Sequence, residues 1–367
     1  MNSMKKNVLF ILPSDLMGGA EFNLLKCARL LSAMPDFTVT VVFLSKRENG
    51  KSRWHDLSNV NFIYMTAERE FFGAIKFLYH SLFKMKSEYD FCFTSHTHCN
   101  AYASLLTSLK VIKVNKLIVR ESTNVFSWFT GLKKRFVTLF YFCYAKNATV
   151  ICQTKRMKSE LLSNVPSFKH RDVRVLMNPV EVSQIKDAAL EIKSADLGFN
   201  HNQVNIVAVG RLVEEKAYDI LLDSVARLSF DFHLYIVGTG HLESSLKEQA
   251  ARLNISKKVF FVGHAPNPFP YIKNADVCVL PSRLEGFPNV LLEMMTLSNC
   301  VISTLCADGI EDIPGIFTCE INSSSDLKLK IDEALACDKS ELLNRQEEME
   351  LYVQKLDISN FVNKIIN

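Results

Sequence analysis

The chain has 367 residues, 48% hydrophobic and 22% charged, a composition that fits a soluble globular enzyme and, at this length, predicts two domains rather than one core. The net charge of +4 hides an asymmetry: residues 1–180 carry 26 Lys and Arg against 12 Asp and Glu (net +14), and residues 181–367 carry 17 against 27 (net −10). A basic half suits an anionic membrane, a phosphorylated substrate or only a solvated lysine surface; no motif supports nucleic acid, which is excluded as a partner.

Taken in order, the chain alternates short β-rich runs with helical stretches, the pattern of parallel α/β sheets. Strands are predicted over 8–12, 38–44, 61–65, 91–94, 116–120 and 149–152. A glycine turn, Met17-Gly18-Gly19-Ala20-Glu21, leads from the first into a helix over 22–33. A short strand at 174–176 precedes the turn Met177-Asn178-Pro179-Val180, and the hinge is placed near 178–181. A second alternation begins near residue 203. Its strands are predicted over 205–209, 233–237, 259–262, 277–280 and 300–303, with helices such as 217–228 and 243–253. The tail 351–366 is helical by pattern, with Phe361, Val362, Ile365 and Ile366 on one face. The expected domains are therefore 1–180, joined by 351–367, and 181–350, with ligands expected in a cleft beyond the carboxyl ends of the strands.

Residues 1–6 are basic, but 8–13 form one short strand before Ser14 and Asp15, which is not a secretory signal. The longest apolar candidate, 136–145, is about half of the roughly 20 residues a spanning helix needs. The expected location is cytoplasmic, at most peripheral on the cytoplasmic face of the inner membrane. The 10 cysteines include no C-x-x-C pair and read as small core residues in a reducing compartment.

The stretch PSRLEGFPNVLLEMM carries the densest chemistry. Glu285 lies on a loop and Glu293 about one turn into the following helix. Between them Gly286, Phe287, Pro288 and Asn289 mark a helix N-terminus, where free amides suit an anion or sugar hydroxyls. Upstream, Arg211 and Lys216 put two cations just past a strand. Carboxylates for hydroxyls and cations for a diphosphate are the needs of a nucleotide-sugar site. No D-x-D occurs, so no metal is expected and the cation pair takes the role of a divalent ion. Gly238-Thr239-Gly240 reads as turn packing, not a dinucleotide fingerprint.

These residues resemble the retaining glycosyltransferases of the two-Rossmann-domain GT-B type, family 4. Gly18-Gly19-Ala20-Glu21, Val209-Gly210-Arg211 with Lys216 and Asp219-Ile220-Leu221-Leu222, Ile236-Val237-Gly238-Thr239-Gly240, Phe261-Val262-Gly263, and Glu285-Gly286-Phe287-Pro288 through Glu293 follow that family's order and spacing. The resemblance implies metal-independent transfer from a nucleotide-diphospho-sugar and no other cofactor; uridine is the expected nucleotide, with guanosine the alternative. Asp308-Gly309-Ile310-Glu311-Asp312-Ile313 adds a likeness to bacterial enzymes that build surface polysaccharides (O-antigen, capsule, lipopolysaccharide) on glycan or lipid-linked acceptors.

By resemblance, Arg211 and Lys216 hold the donor diphosphate, Glu293 the ribose hydroxyls, and Glu285 with the amides of 286–289 the transferred sugar. Ala217 stands where the family has Gly and is tolerated if φ stays negative. Gly18 and Gly19 would approach the donor or acceptor from the other half. The family's first-domain histidine matches His98 or His96, with His98 preferred, and Glu121 is a second candidate for the acceptor. The rival readings are a sugar-nucleotide epimerase, a dinucleotide oxidoreductase and a non-catalytic sugar-nucleotide-binding subunit.

Two further segments interleave basic and aromatic residues: 76–86 (Lys76, Phe77, Tyr79, Lys84, Lys86) and 128–136 (Trp128, Phe129, Lys133, Lys134, Arg135, Phe136). They predict either peripheral contact with anionic lipid or two core-facing amphipathic helices.

Overall fold

The computed structural model describes residues 5–46, 53–84, 88–192, 197–200 and 202–366. Met1–Met4, Met85 and Lys86, parts of two sequence segments discussed above, lie outside the described residues. The chain divides into two compact units, Met1–Pro179 with Ile358–Asn367, and Val180–Asp357.

The first unit contains β1 (Lys6–Ser14), α1 (Gly19–Ala33), β2 (Phe37–Ser45), β3 (Val60–Tyr64), α2 (Glu70–Phe83), β4 (Glu88–Ser95), α3 (Thr97–Ser108), β5 (Lys113–Arg120), α4 (Val125–Trp128), α5 (Gly131–Phe142), β6 (Thr149–Cys152), α6 (Lys155–Asn164) and β7 (Val173–Val175). Its strands form one parallel sheet in the order β3-β2-β1-β4-β5-β6-β7. The central strands are buried on both faces, as their continuous Val, Ile, Leu and Phe runs require. Phe10 and Phe93 stack on one face at 5.0 Å. On the other, Gly73 lets α2 lie directly on the end of β2, since a Cβ there would come within 1.5 Å of the Leu44 carbonyl oxygen.

The second unit contains α7 (Val182–Ala188), β8 (Val204–Val209), α8 (Tyr218–Val225), β9 (Phe232–Val237), α9 (Glu243–Arg252), β10 (Val259–Gly263), α10 (Phe269–Asn274), β11 (Val277–Leu280), α11 (Asn289–Leu297), β12 (Val301–Thr304), β13 (Phe317–Cys319), α12 (Ser324–Ala336) and α13 (Lys339–Gln354). Its parallel sheet runs β10-β9-β8-β11-β12-β13. Side-chain caps start its last two helices: Ser323 Oγ accepts from Asp326 N at 3.2 Å, and Asp338 Oδ1 from Glu341 N at 2.9 Å. Val180 and Asp357, the two ends of this unit, pair as a parallel bridge.

The tail is divided. Residues of α13 stay in the second unit, and only α14 (Ile358–Ile366) packs on the first, where Ile358, Phe361, Val362 and Ile365 are buried against α1 and its neighbours. Both sheets reverse their strand order once, between β1 and β4 and between β8 and β11. Such switch points are where open α/β sheets receive ligands. All ten cysteines are free, eight of them buried.

Candidate functional site

In the second unit, the loops leaving β8 and β11 flank the switch point. They carry Arg211 and Lys216 on one side and Glu285 on the other. Lys216 Nζ donates to Glu285 Oε1, which also accepts from Ser282 Oγ at 3.0 Å. Each side chain of the pair is 17% exposed, so the pair is reachable yet only partly screened by water. Arg211 is exposed at the lip of a depression of about 220 Å³, lined by Val209, Gly210, Gly238, Thr239 and His264 among others. Glu293 sits in α11, whose N-cap is Pro288, with Asn289 the first helical residue. Phe287 is buried and pins the loop, while Gly286 is only partly covered.

The β9 turn is built for close approach. A Cβ on Gly238 would meet the Gly210 carbonyl oxygen at 1.9 Å, and one on Gly240 the Leu212 oxygen at 2.2 Å. These glycines therefore pack the turn against the Arg211 loop, in line with their reading as packing.

The Lys216 loop corrects one expectation. Residues Glu214–Lys216 make a 3-10 turn that ends at Ala217 with φ 51° and ψ 39°, in the left-handed region and not at negative φ. The turn must reverse the chain into α8, and that geometry costs an alanine about 1–2 kcal/mol. Arg283, a residue that sequence reasoning did not single out, clamps this loop. It donates to the Glu214 carbonyl oxygen at 2.6 Å and to Asp219, and its backbone N–H donates to the Glu215 oxygen at 2.7 Å. Its place within the Pro281–Pro288 loop was the only available signal.

In the first unit, the corresponding edge brings together Gly18, Gly19, Glu21, His96 and His98. Gly18 is the N-cap of α1. His96, at the end of β4, has φ 73°, and its Nε2 lies 3.2 Å from Glu21 Oε1. Burial pulls the His96 imidazole below its ordinary pKa, while Glu21 opposes the shift. His98 is turned to α2, 3.1 Å from Glu70 Oε2. The sequence grouped Glu21 with the glycine turn but assigned it no role, and Glu70 gave no signal. Glu121 is not at this edge in any open sense. It is buried, and its carboxylate accepts from Asn100, Tyr141, Tyr144 and Thr97.

Residues 191–353 match the family described as glycosyl transferases group 1. Among curated proteins, an uncharacterized glycosyltransferase of Methanocaldococcus jannaschii is 27% identical over 61% of this chain and 57% of its own length. The N-acetylgalactosamine-N,N'-diacetylbacillosaminyl-diphospho-undecaprenol 4-alpha-N-acetylgalactosaminyltransferase of Campylobacter jejuni is 29% identical over 51% of this chain and 49% of its own length. The chain thus spans about half the length of the curated relatives it matches. The crystal structure of HepE from Anabaena in complex with UDP-glucose superposes with a TM-score of 0.79 at 16% identity, covering 98% of both chains. Two Rossmann-like units with parallel sheets place the fold with the GT-B structures.

Proposed function

We propose that this chain is a retaining glycosyltransferase of family 4. It moves a hexose or N-acetylhexosamine from a UDP-sugar to a glycan or lipid-linked acceptor of a bacterial surface polysaccharide. One observation carries the reading: Lys216 pairs with Glu285 at the switch-point edge of the second sheet, between the loop that also carries Arg211 and the loop that leads into the α11 N-terminus. The match of residues 191–353 and the relatives' printed activities support the same reaction class, and none of them favours an epimerase.

In this reading Arg211 and Lys216 bind the diphosphate, and Glu285 holds Lys216 in place and meets the sugar hydroxyls with the 286–289 amides. Glu293 takes the ribose diol. The acceptor hydroxyl attacks the anomeric carbon from the face the nucleotide leaves. The bond from that carbon to the β-phosphate oxygen breaks as the new glycosidic bond forms, and the departing oxygen takes the acceptor's proton. Negative charge grows on that oxygen, and a preorganised cation pair stabilises it without a divalent ion. Within the first unit we favour His96 over His98 as the functional histidine, because His96 shares the edge with Gly18 and Glu21 whereas His98 faces Glu70. Work on a lipid-linked acceptor also places the chain at the cytoplasmic face of a membrane.

The test is transfer from a panel of UDP-sugars to a lipid-linked glycan, with the anomeric configuration read by NMR. Arg211→Ala should lower kcat/KM by at least about 100-fold, roughly 2.7 kcal/mol of transition-state stabilisation. Arg211 is exposed, so the melting temperature should not move. Turnover close to that of the parent, or an inverted product, would overturn the assignment.

A further inference from the structure

The first unit presents an apolar surface that its own fold leaves open. Helix α2 buries Gly73, Phe77 and Ser81 against the sheet, yet Phe71, Phe72, Ile75, Tyr79, Leu82 and Phe83 are all more than half exposed, Phe71 at 70%. These six recur at helical spacing along the opposite face. Helix α5 repeats the arrangement with Leu132, Phe136, Leu139 and Phe142, Leu132 at 82% and Phe142 at 69%. The core-facing alternative for these segments therefore fails for most of their apolar residues.

The two helices lie on the same side of the sheet. Phe77 of α2, Leu106 of α3 and Tyr141 of α5 share one core cluster. Tyr102 on α3 donates to the Ala74 carbonyl oxygen of α2 at 2.5 Å, and α3 also packs on α5. Leu105 on α3 and Leu109 just after it add further exposed apolar side chains. A helix apolar on both faces is ordinarily buried, and exposed apolar side chains gathered on neighbouring helices mark a surface that something covers.

Charge selects the occupant. Lys133, Lys134, Arg135 and Lys146 lie in and just after α5, and residues 131–146 contain no Asp or Glu. Lys76 and Lys84 add exposed cations along α2. We infer that the outer faces of α2 and α5 dock on the headgroup layer of an anionic lipid bilayer, with the phenylalanine and leucine side chains seated at the acyl boundary and the lysines on lipid phosphates. A second copy of the same basic face is disfavoured, since it would set like charge against like. Among the described residues no helix is long and apolar enough to cross a membrane, so the contact is one of surface seating.

The experiment is flotation of the full chain with phosphatidylcholine vesicles, with and without phosphatidylglycerol, in the absence of donor and acceptor. It is thus independent of the transfer reaction. Binding is expected only to the anionic vesicles. The combined variant Phe72→Ser, Leu82→Ser, Phe136→Ser should bind at least about tenfold more weakly, and so should Lys133→Glu with Arg135→Glu. These side chains are largely exposed, so circular dichroism and the melting temperature should match the parent. Tryptophan fluorescence gives a second reading. Of the chain's 2 tryptophans, Trp54 is buried and Trp128, the last residue of α4 just before α5, is 38% exposed. Brominated lipid should quench Trp128 in a Trp54→Phe background. Equal binding to neutral vesicles would overturn the inference, as would no binding. Concentration-dependent self-association abolished by the same apolar substitutions would overturn it in favour of a protein interface.

Discussion

Glu121 shows how a polar side chain near a candidate site can belong to the scaffold. It closes β5 at 2% exposure and accepts from Tyr144 Oη at 2.6 Å, Tyr141 Oη at 2.8 Å and Asn100 Nδ2 at 3.1 Å. Burial raises its pKa, and the hydroxyl and amide donors pull against that shift. Removing the carboxylate leaves two buried phenols and an amide without their acceptor, so Glu121→Ala should destabilise the chain by about 3 kcal/mol or more in denaturant unfolding. Because the folded pKa lies above the unfolded one, Glu121 contributes most below its unfolded pKa of about 4.3, and that contribution is lost as pH rises through the folded value. Glu121→Gln should therefore cost less than Glu121→Ala and flatten this part of the pH dependence. An alanine variant with parent stability but no transfer would instead make Glu121 a substrate contact.

At the scale of elements, long runs with clear periodicity were legible and short or two-faced ones were not. The central strands announced themselves as unbroken apolar runs because both of their faces are covered. Three-residue β13 at the sheet edge gave no such run. In α2 the sequence marked interleaved basic and aromatic residues from 76 onward, but that pattern could not say which of two apolar faces meets the sheet. Only the contact of Gly73 with the end of β2 decides that. The candidate site divides in the same way. The R-x4-K and E-x7-E spacings lie within single loops or one loop–helix junction and are readable, whereas the Arg283 clamp and the Glu21–His96 pair join residues far apart in the chain. The tail was legible because α14 carries one apolar stripe. Phe361, Val362 and Ile365 fill the groove beside α1, and Arg174 donates to the Lys364 carbonyl oxygen at 2.8 Å. Phe361→Ala should cost about 3–5 kcal/mol, as in other buried positions. A loss below about 1 kcal/mol in urea would show that α14 is an accessory to the first unit and not part of its core.

The whole chain separates its charge: residues 1–180 carry net +14 and residues 181–367 net −10. A sugar nucleotide is an anion, yet the proposed diphosphate ligands lie in the acidic half. Long-range attraction therefore cannot draw the donor to that unit, and its binding must come from short contacts with Arg211, Lys216 and backbone amides. Docking on anionic lipid, in contrast, would draw on the field of the basic half. Salt distinguishes the two, because the Debye length falls from about 10 Å at 0.1 M to about 3 Å at 1 M. Raising sodium chloride from about 0.1 to about 0.5 M should release the chain from anionic vesicles while changing the calorimetric Kd for the UDP-sugar by less than about threefold, since screening weakens the acidic half's repulsion along with the local attraction. Arg211→Ala and Lys216→Ala are the local control: a donor Kd within about twofold of the parent at both salt concentrations would mean that neither side chain holds the diphosphate. The assignment of Arg211 and Lys216 would then fail, whatever the vesicles do.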